Sequence, residues 1–395
     1  MSDPVVRLAA RGDGFTASGV FLAGGVPGDV VEADGSLTPG PHRQTPPCRH
    51  FGTCGGCQLQ HVDDATYAAF VVDRVAAALA AQGIADVEIR LPHLSPPFTR
   101  RRTSLKASRV GKRILLGFSE AGSNTIVDLS ECPVLHPALT TLLPELRRLL
   151  AALGLGKRAA NVRMTLADQG IDLMLSGVEA EGLAASEALT AFAQRHRLAR
   201  SSIDEGYGPS ARWEPEAVTI ALGGLPVALP EGAFLQATAD GEAALVAAVR
   251  EAVTDATVIA DLFAGLGTFT FNVDGRVHAV EGARDAILAL QTAAGQSGKL
   301  VTAEHRDLFR RPLTAADLSR FDAIILDPPR AGAKEQAAEL AASAVPRIAY
   351  VSCNPATFAR DARTLIDGGY RLDWIAPVGQ FRWSTHVELA ACFSL

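Results

Sequence analysis

With 395 residues the chain is long enough for two or three domains, each able to bury its own core. Its 37 Lys and Arg against 43 Asp and Glu leave a net charge of −6, so it carries no global electrostatic signature of a nucleic-acid binder. No apolar run of about 18 residues is present, and the opening MSDPVVRLAARGDG lacks a charged segment followed by an apolar one, so the expectation is a cytoplasmic protein without a membrane span.

In chain order, residues 5–34 alternate short β-rich runs with Gly, Asp and Pro turn signals, the pattern of a small β-barrel. The Pro-rich LTPGPHRQTPP reads as a linker leading to CRHFGTCGGCQLQH. Residues 64–83 read as a helix, and residues 90–230 mix strand-like and helical runs in an α+β region. Near the start of that region lie eight basic residues and no acid: Arg90, Arg100, Arg101, Arg102, Lys106, Arg109, Lys112 and Arg113. Such a run is either a solvated face or a patch that tracks phosphates.

From residue 236 onward the pattern becomes a regular alternation. VIADLF, VHAVEG, LVTAEHRD, FDAIILDPP and RIAYVSC read as strands separated by helix-forming segments such as GARDAILALQTAAGQSG, and YRLDWIAPV and HVELAACF close the set. This is the βαβ pattern of a doubly wound α/β sheet and the expected seat of catalysis. The three regions are expected at residues 1–45, 46–230 and 231–395.

The first of these strands runs into DLFAGLGTFTFNV. Asp261 closes it, and Gly265 and Gly267 let a ligand approach the backbone without meeting a Cβ. Glu281 closes VHAVEG, where a carboxylate can accept hydrogen bonds from ribose hydroxyls. The third glycine of a dinucleotide fingerprint is absent, since Phe269 and Thr270 follow Gly267 and Thr268; this favours a nucleoside cofactor without phosphates. S-adenosylmethionine fits, with Asp307 at the next strand end placed to meet the adenine. Asp307 also suits a plain helix N-cap.

In FDAIILDPPR two prolines hold Asp327 on a rigid, extended lip suited to a planar base or the cofactor. Cys353 ends RIAYVSC and is followed by Asn354, a good N-cap, and Pro355, the preferred first helical residue. The positive end of that helix is expected to lower the thiol's pKa. A methyl donor beside a thiolate points to C5 of a pyrimidine. Addition of the sulfur to C6 makes C5 nucleophilic, and a base must then remove the C5 proton so that the thiol is expelled. STHVELAACF offers His386 and Glu388 for that base, of which Glu388 is the choice. Cys392 in the same stretch reads as a core residue. Cys48, Cys54 and Cys57 are clustered tightly enough to favour a metal over disulfides.

AFLQAT, DLFAGLGTFT, VEG, DPPRAG, VSCNPATFARD and THVEL, in that order, resemble the RNA uracil-C5 methyltransferases. The resemblance implies a Rossmann-like, S-adenosylmethionine-dependent catalytic domain with Cys353 as nucleophile and Glu388 as general base. It implies cofactor contacts at Gln236, Phe263, Thr268, Glu281, Asp307 and Asp327, with Thr268 standing where an asparagine is common. CRHFGTCGGCQLQH with the later ECPVLHP resembles the iron–sulfur segment of the members that act on large-subunit rRNA, so Cys48, Cys54, Cys57 and Cys132 are the implied [4Fe–4S] ligands. Their spacing also satisfies a four-cysteine site on physical grounds, which zinc accepts as well. The reaction moves no electrons, so a structural cluster is expected. Residues 5–34, with RGDG and VPGDVVEA, resemble the RNA-binding TRAM barrel. Two departures stand out: Arg382 replaces the usual proline in FRWSTHVE, and the helix after QLQH lacks the family's lysine.

The implied reaction is methylation of a uridine that has left its stack to enter a pocket beside Cys353 and Asp327, with Arg90–Arg113 as the candidate phosphate surface. The implied partner is 23S rRNA, with the tRNA T-loop uridine as the alternative, and a monomer is expected. Cytosine-C5 methylation is a further alternative, although those enzymes' usual motifs put a cysteine after a proline where this chain has Arg330. A non-catalytic RNA-binding assembly factor on the same fold is the last.

Overall fold

The computed structural model describes residues 2–156 and 159–395. All seven strands read from the carboxyl-terminal sequence are present, in the sheet order Val301–His305, Arg276–Glu281, Val258–Leu262, Ala323–Leu326, Arg347–Ser352, Glu388–Ser394, Arg371–Gly379. The first five are parallel, and Glu388–Ser394 runs antiparallel between its two neighbours. The sheet buries both faces, which is why its central strands read as unbroken apolar runs. In Ala323–Leu326 the alternation survives in the packing. Ile324 and Leu326 join the core that holds Tyr67, Phe70 and Phe358, whereas Ala323 and Ile325 point to the core of Leu245, Val249 and Trp374. Each fully buried Ile or Leu contributes about 1.5–3 kcal/mol through its removal from water.

Two further pieces join this sheet from far upstream. Glu88–Ile89 and His93–Leu94 both pair in parallel with Arg371–Gly379, and helix Asp64–Ala80 packs on helix Pro355–Asp367. The helix is amphipathic, capped by the Asp63 side chain accepting from Thr66 N, and buries Tyr67, Phe70, Val71, Val75 and Leu79. Residues 64–94, assigned from sequence to the central region, thus pack with the catalytic sheet. Their short strands carry too little periodicity to announce that partner.

The central region is a six-stranded sheet in the order Pro209–Trp213, Arg200–Asp204, Gly170–Ser176, Ala160–Ala167, Arg102–Val110, Arg113–Gly117. Its one parallel pair is bridged by helix Leu183–Arg195, giving the expected α+β character. A hairpin, Thr219–Leu222 and Leu225–Ala228, packs its Ile220, Leu222 and Val227 against Ile287 and Leu290 of helix Arg284–Ser297. Where the TRAM-like barrel is expected, residues 3–38 form five short strands in one antiparallel sheet. Among the described residues no helix is long and apolar enough to cross a membrane.

Candidate active site

The carboxyl ends of the parallel strands converge on two adjoining cavities. The larger, of about 720 Å³, is lined by Gln236, Phe263, Gly265, Thr268, Glu281, Asp307 and Asp327. Seven of the eight positions expected to contact the cofactor therefore share one wall. Gly267 does not line it: at φ +95°, it turns the chain where a Cβ would meet the Phe271 ring at 2.6 Å, so its part is to close the turn. Gly265, at φ +57°, faces open space. Phe263 sits at φ +63°, a conformation costly for an aromatic residue and held here by the tight exit from the strand.

Glu281 is pre-positioned by that turn. Its carboxylate accepts from Gly265 N at 2.9 Å and from Ala283 N at 2.6 Å, leaving lone pairs toward the cavity. Asp307 does act as a cap, accepting from Phe309 N at 3.0 Å and Arg310 N at 3.3 Å, while still lining the cavity. The turn it caps presents Phe309, 42 % exposed, with its ring 5.3 Å from that of Phe263. This aromatic pair suits a purine face. Phe309 was missed in the sequence, where an aromatic two residues after a strand-end aspartate carries no distinctive signal. Asp261 lies behind the turn, fully buried, with Thr270 Oγ1 donating to it at 2.6 Å; burial pushes its carboxyl up to about 7.

The smaller cavity, of about 480 Å³, shares Phe234, Arg330, Cys353 and Glu388 with the larger one. Cys353 and Glu388 therefore stand where the two spaces meet. The helix after Cys353 begins as expected, at Pro355 with the Asn354 side chain accepting from Ala356 N at 3.2 Å. Its effect on the thiol is overridden, however. Burial, then the nearby Glu388 and Asp327 carboxylates, raise the Cys353 pKa, and Arg330 opposes them. One helix end does not outweigh desolvation beside two acids. Asp327 itself is pushed well above the usual carboxylate range by burial, then by Glu388, Asp261 and Glu281.

Glu388 is 4 % exposed, and burial pushes its carboxyl up to about 7, against the opposing pull of Gln380 and Arg102. Gln380 is a fully used amide. It donates to the Glu388 carboxylate and to Gln236 Oε1 at 2.7 Å, and accepts from Ala237 N at 2.8 Å. It ties the acid to the cofactor-side Gln236. Nothing in the sequence distinguished it. His386, the other candidate base, lines only the smaller cavity, where Arg330 Nη2 lies 3.3 Å from its Nδ1.

The basic run is divided by the fold, which corrects its reading as one surface. Arg90 pairs with Glu251 at 2.7 Å and stacks over Trp374; Arg101 is buried, bonded to Glu242 at 2.6 Å and to Gln236 O at 3.0 Å. Arg100 and Arg102 line the smaller cavity, Arg102 with its guanidinium 4.5 Å from the Phe234 ring centre and its pKa lowered to about 10 by burial and by Arg100. Lys106, Arg109, Lys112 and Arg113 remain exposed. Alternation along a strand sends consecutive residues to opposite faces, so a contiguous basic run cannot lie on one face.

Cys48, Cys54, Cys57 and Cys132 all line the smaller cavity, with Phe51, Phe118, Leu129 and Leu135 around them. Burial, with Cys132, Cys54 and Cys48 adding, pushes the Cys57 thiol up to about 12. Among the described residues no three His, Cys, Asp or Glu side chains converge on the position of a single metal ion. Cys392 is buried in the sheet core, as read.

Residues 227–394 match the family model described as tRNA (uracil-5-)-methyltransferase. The chain is 52% identical over 392 residues to a protein of Zymomonas mobilis named an uncharacterised RNA methyltransferase, with 99% of each covered. It is 34% identical over 408 residues to the 23S rRNA (uracil(1939)-C(5))-methyltransferase RlmD of Edwardsiella ictaluri, covering 97% of this chain and 92% of that one. The crystal structure of Pyrococcus abyssi tRNA (uracil-54, C5)-methyltransferase in complex with S-adenosyl-L-homocysteine shares the fold over 100% of both chains, with a TM-score of 0.76 at 22% identity. With the strand-end turn, the cysteine and the buried glutamate at one junction, these likenesses make the chain a member of the S-adenosylmethionine-dependent RNA uracil-C5 methyltransferase family.

Proposed function

We propose that this chain methylates C5 of one uridine in 23S rRNA, in the cytoplasm, with Cys353 as nucleophile and Glu388 as general base. The observation behind the chemistry is that both side chains line both cavities, at the junction between them. The ribosomal substrate is supported by the likeness to the Edwardsiella ictaluri enzyme over nearly the whole length of both chains.

S-adenosylmethionine, when bound in the larger cavity, supplies an electrophilic methyl group on a cationic sulfur. Cys353 sulfur adds to C6 of the unstacked uracil, and the electron pair released toward C5 forms the new carbon–methyl bond while the methyl–sulfonium bond breaks, its electrons staying on the sulfur of the departing S-adenosylhomocysteine. Glu388 then takes the C5 proton; the C–H pair becomes the C5–C6 double bond, and the C6–S bond breaks with its electrons returning to Cys353. Arg330 favours the thiolate in both the first and last steps, against the two carboxylates beside it. Lys106, Arg109, Lys112 and Arg113 are the exposed part of the basic run and the surface proposed for phosphate contacts.

The cysteine quartet offers the donor set of a [4Fe–4S] cluster, which the resemblance favours, and zinc accepts the same four thiols. All four line one cavity beside Phe51, Phe118, Leu129 and Leu135. Iron and acid-labile sulfide in anaerobically purified protein, against zinc, decide between them.

The reaction itself is tested with 5-fluorouridine RNA, because fluorine at C5 blocks proton removal and strands the adduct. A denaturing-gel complex with a 23S rRNA fragment, absent in Cys353→Ala, supports the proposal. A complex with tRNA alone moves the substrate, and a complex only with 5-fluorocytidine RNA overturns the choice of base.

A further inference from the structure

Glu388 opens its strand, and the eight residues before it, Gln380–Val387, have no regular structure. Joining adjacent antiparallel strands, such a connection would ordinarily be solvent-exposed and mobile. Here Arg382, Trp383, Ser384 and Val387 are buried, because the connection is covered by residues more than 300 positions earlier in the chain.

Three contacts do this. The Tyr67 hydroxyl, on a fully buried side chain, donates to Phe381 O at 3.2 Å and to Ser384 O at 3.4 Å. The carbonyl of Trp383, held at φ +59°, accepts from both Gln58 N and Leu59 N at 2.9 Å. Arg382 reaches Asp64 at the start of the same helix that carries Tyr67, and donates to Ser95 O at 3.4 Å. A proline at 382 would have no such donor. Gln58 and Leu59 directly follow Cys57, and Gly12, in the turn between strands Asp3–Leu8 and Gly14–Thr16 at φ +91°, packs on the same junction: a Cβ there would lie 3.2–3.4 Å from the side chains of Gln58, Leu59 and Thr385.

Among the described residues no hydrogen bond from so far along the chain reaches Cys353. Cys353 is held by its own neighbours, Asn354 N donating to Ser352 Oγ at 3.2 Å and Asn354 Nδ2 to Arg330 O at 3.1 Å. The two catalytic groups are therefore positioned by different parts of the molecule.

We propose that Tyr67 is a positioning residue for the proton-abstraction step, and that the segment after Cys57, with the helix Asp64–Ala80, clamps the connection that delivers Glu388. The cysteine-rich segment thereby acts on product release and not on methyl transfer. Sulfur addition and methyl transfer need Cys353 and the cofactor cavity; loss of the C5 proton and expulsion of Cys353 need Glu388 within hydrogen-bond reach of C5. Loosening the clamp leaves the first pair of steps intact and slows the second. The covalent, already methylated RNA–protein complex then accumulates.

This inference rests on the uracil-C5 reading. Its test uses the full-length protein with ordinary uridine RNA and labelled S-adenosylmethionine, following methyl transfer in a single turnover and the denaturant-stable complex in parallel. Tyr67→Phe keeps the ring in its core, and Asp64→Ala alters an exposed side chain, so one variant is safe if the other folds poorly. In both, first-turnover methyl transfer should stay within about twofold of wild type while breakdown of the complex slows about tenfold. Equal slowing of the two steps, or no change in either, overturns the clamp. If Glu388→Gln releases RNA as fast as wild type, Glu388 is not the base and there is nothing for the clamp to position. If wild type forms no complex even with 5-fluorouridine RNA, it is the uracil-C5 reading that has failed.

Discussion

The nine-stranded sheet and the amino-terminal half of the molecule contribute to one site by opposite means. The sheet delivers chemistry through local rules: strand ends carry Asp261, Glu281, Asp307, Asp327 and Cys353 to one edge, because parallel strands in a doubly wound fold share a direction. The amino-terminal half delivers Arg100, Arg102, four cysteines and Tyr67 through long-range packing, with no repeating pattern to announce them. Proximity in sequence therefore points to the proposed nucleophile and the cofactor turn, whereas Glu388, the proposed base, follows a connection held by contacts bridging more than 300 residues.

If that division holds, damage on the sheet side should stop the reaction early and damage on the amino-terminal side should stop it late. The largest effect is expected for Cys353→Ala, which should lower single-turnover methylation by more than about 10⁴-fold, since no other group can activate C5. Measured transfer within tenfold of wild type would remove the nucleophile from the scheme. Glu388→Gln should retain methyl transfer but slow release by about 10²–10⁴-fold, seen as a persistent complex on a denaturing gel.

The pH dependence sharpens the comparison. Burial lifts the Glu388 carboxyl to about 7, and only its ionised form accepts the C5 proton, so the release rate should rise with pH through about 7 and level off above it. A release rate that is flat from pH 6 to 8, measured on preformed complex, argues against this base. Smaller again is Phe309→Ala, where loss of one stacking partner should weaken S-adenosylhomocysteine binding by about 1–2 kcal/mol in calorimetry, with Cys353 chemistry unaffected at saturation. Least of all, Lys112→Ala with Arg113→Ala should raise the RNA Kd a few-fold and flatten its salt dependence, as expected of exposed phosphate contacts.

The sequence by itself determined the doubly wound sheet, because buried parallel strands must be continuous apolar runs and their helices must alternate with them. It also pointed to Cys353 and to most of the residues that line the larger cavity, because strand ends followed by glycine or proline turns are local signals; Glu388, which opens its strand, was marked only by its chemistry and by the resemblance of THVEL. Only the tertiary structure decided the rest. It placed residues 64–94 with the catalytic sheet, divided the basic run between ion pairs, the site and the surface, and reversed the expected shift of the Cys353 thiol. Desolvation and the nearness of Glu388 and Asp327 are properties of a three-dimensional environment, and no spacing along the chain records them. The same holds for the hold of Tyr67 on the connection to Glu388, since a hydroxyl and two carbonyls more than 300 residues apart meet only once the core that holds Tyr67, Val387 and Leu389 has closed.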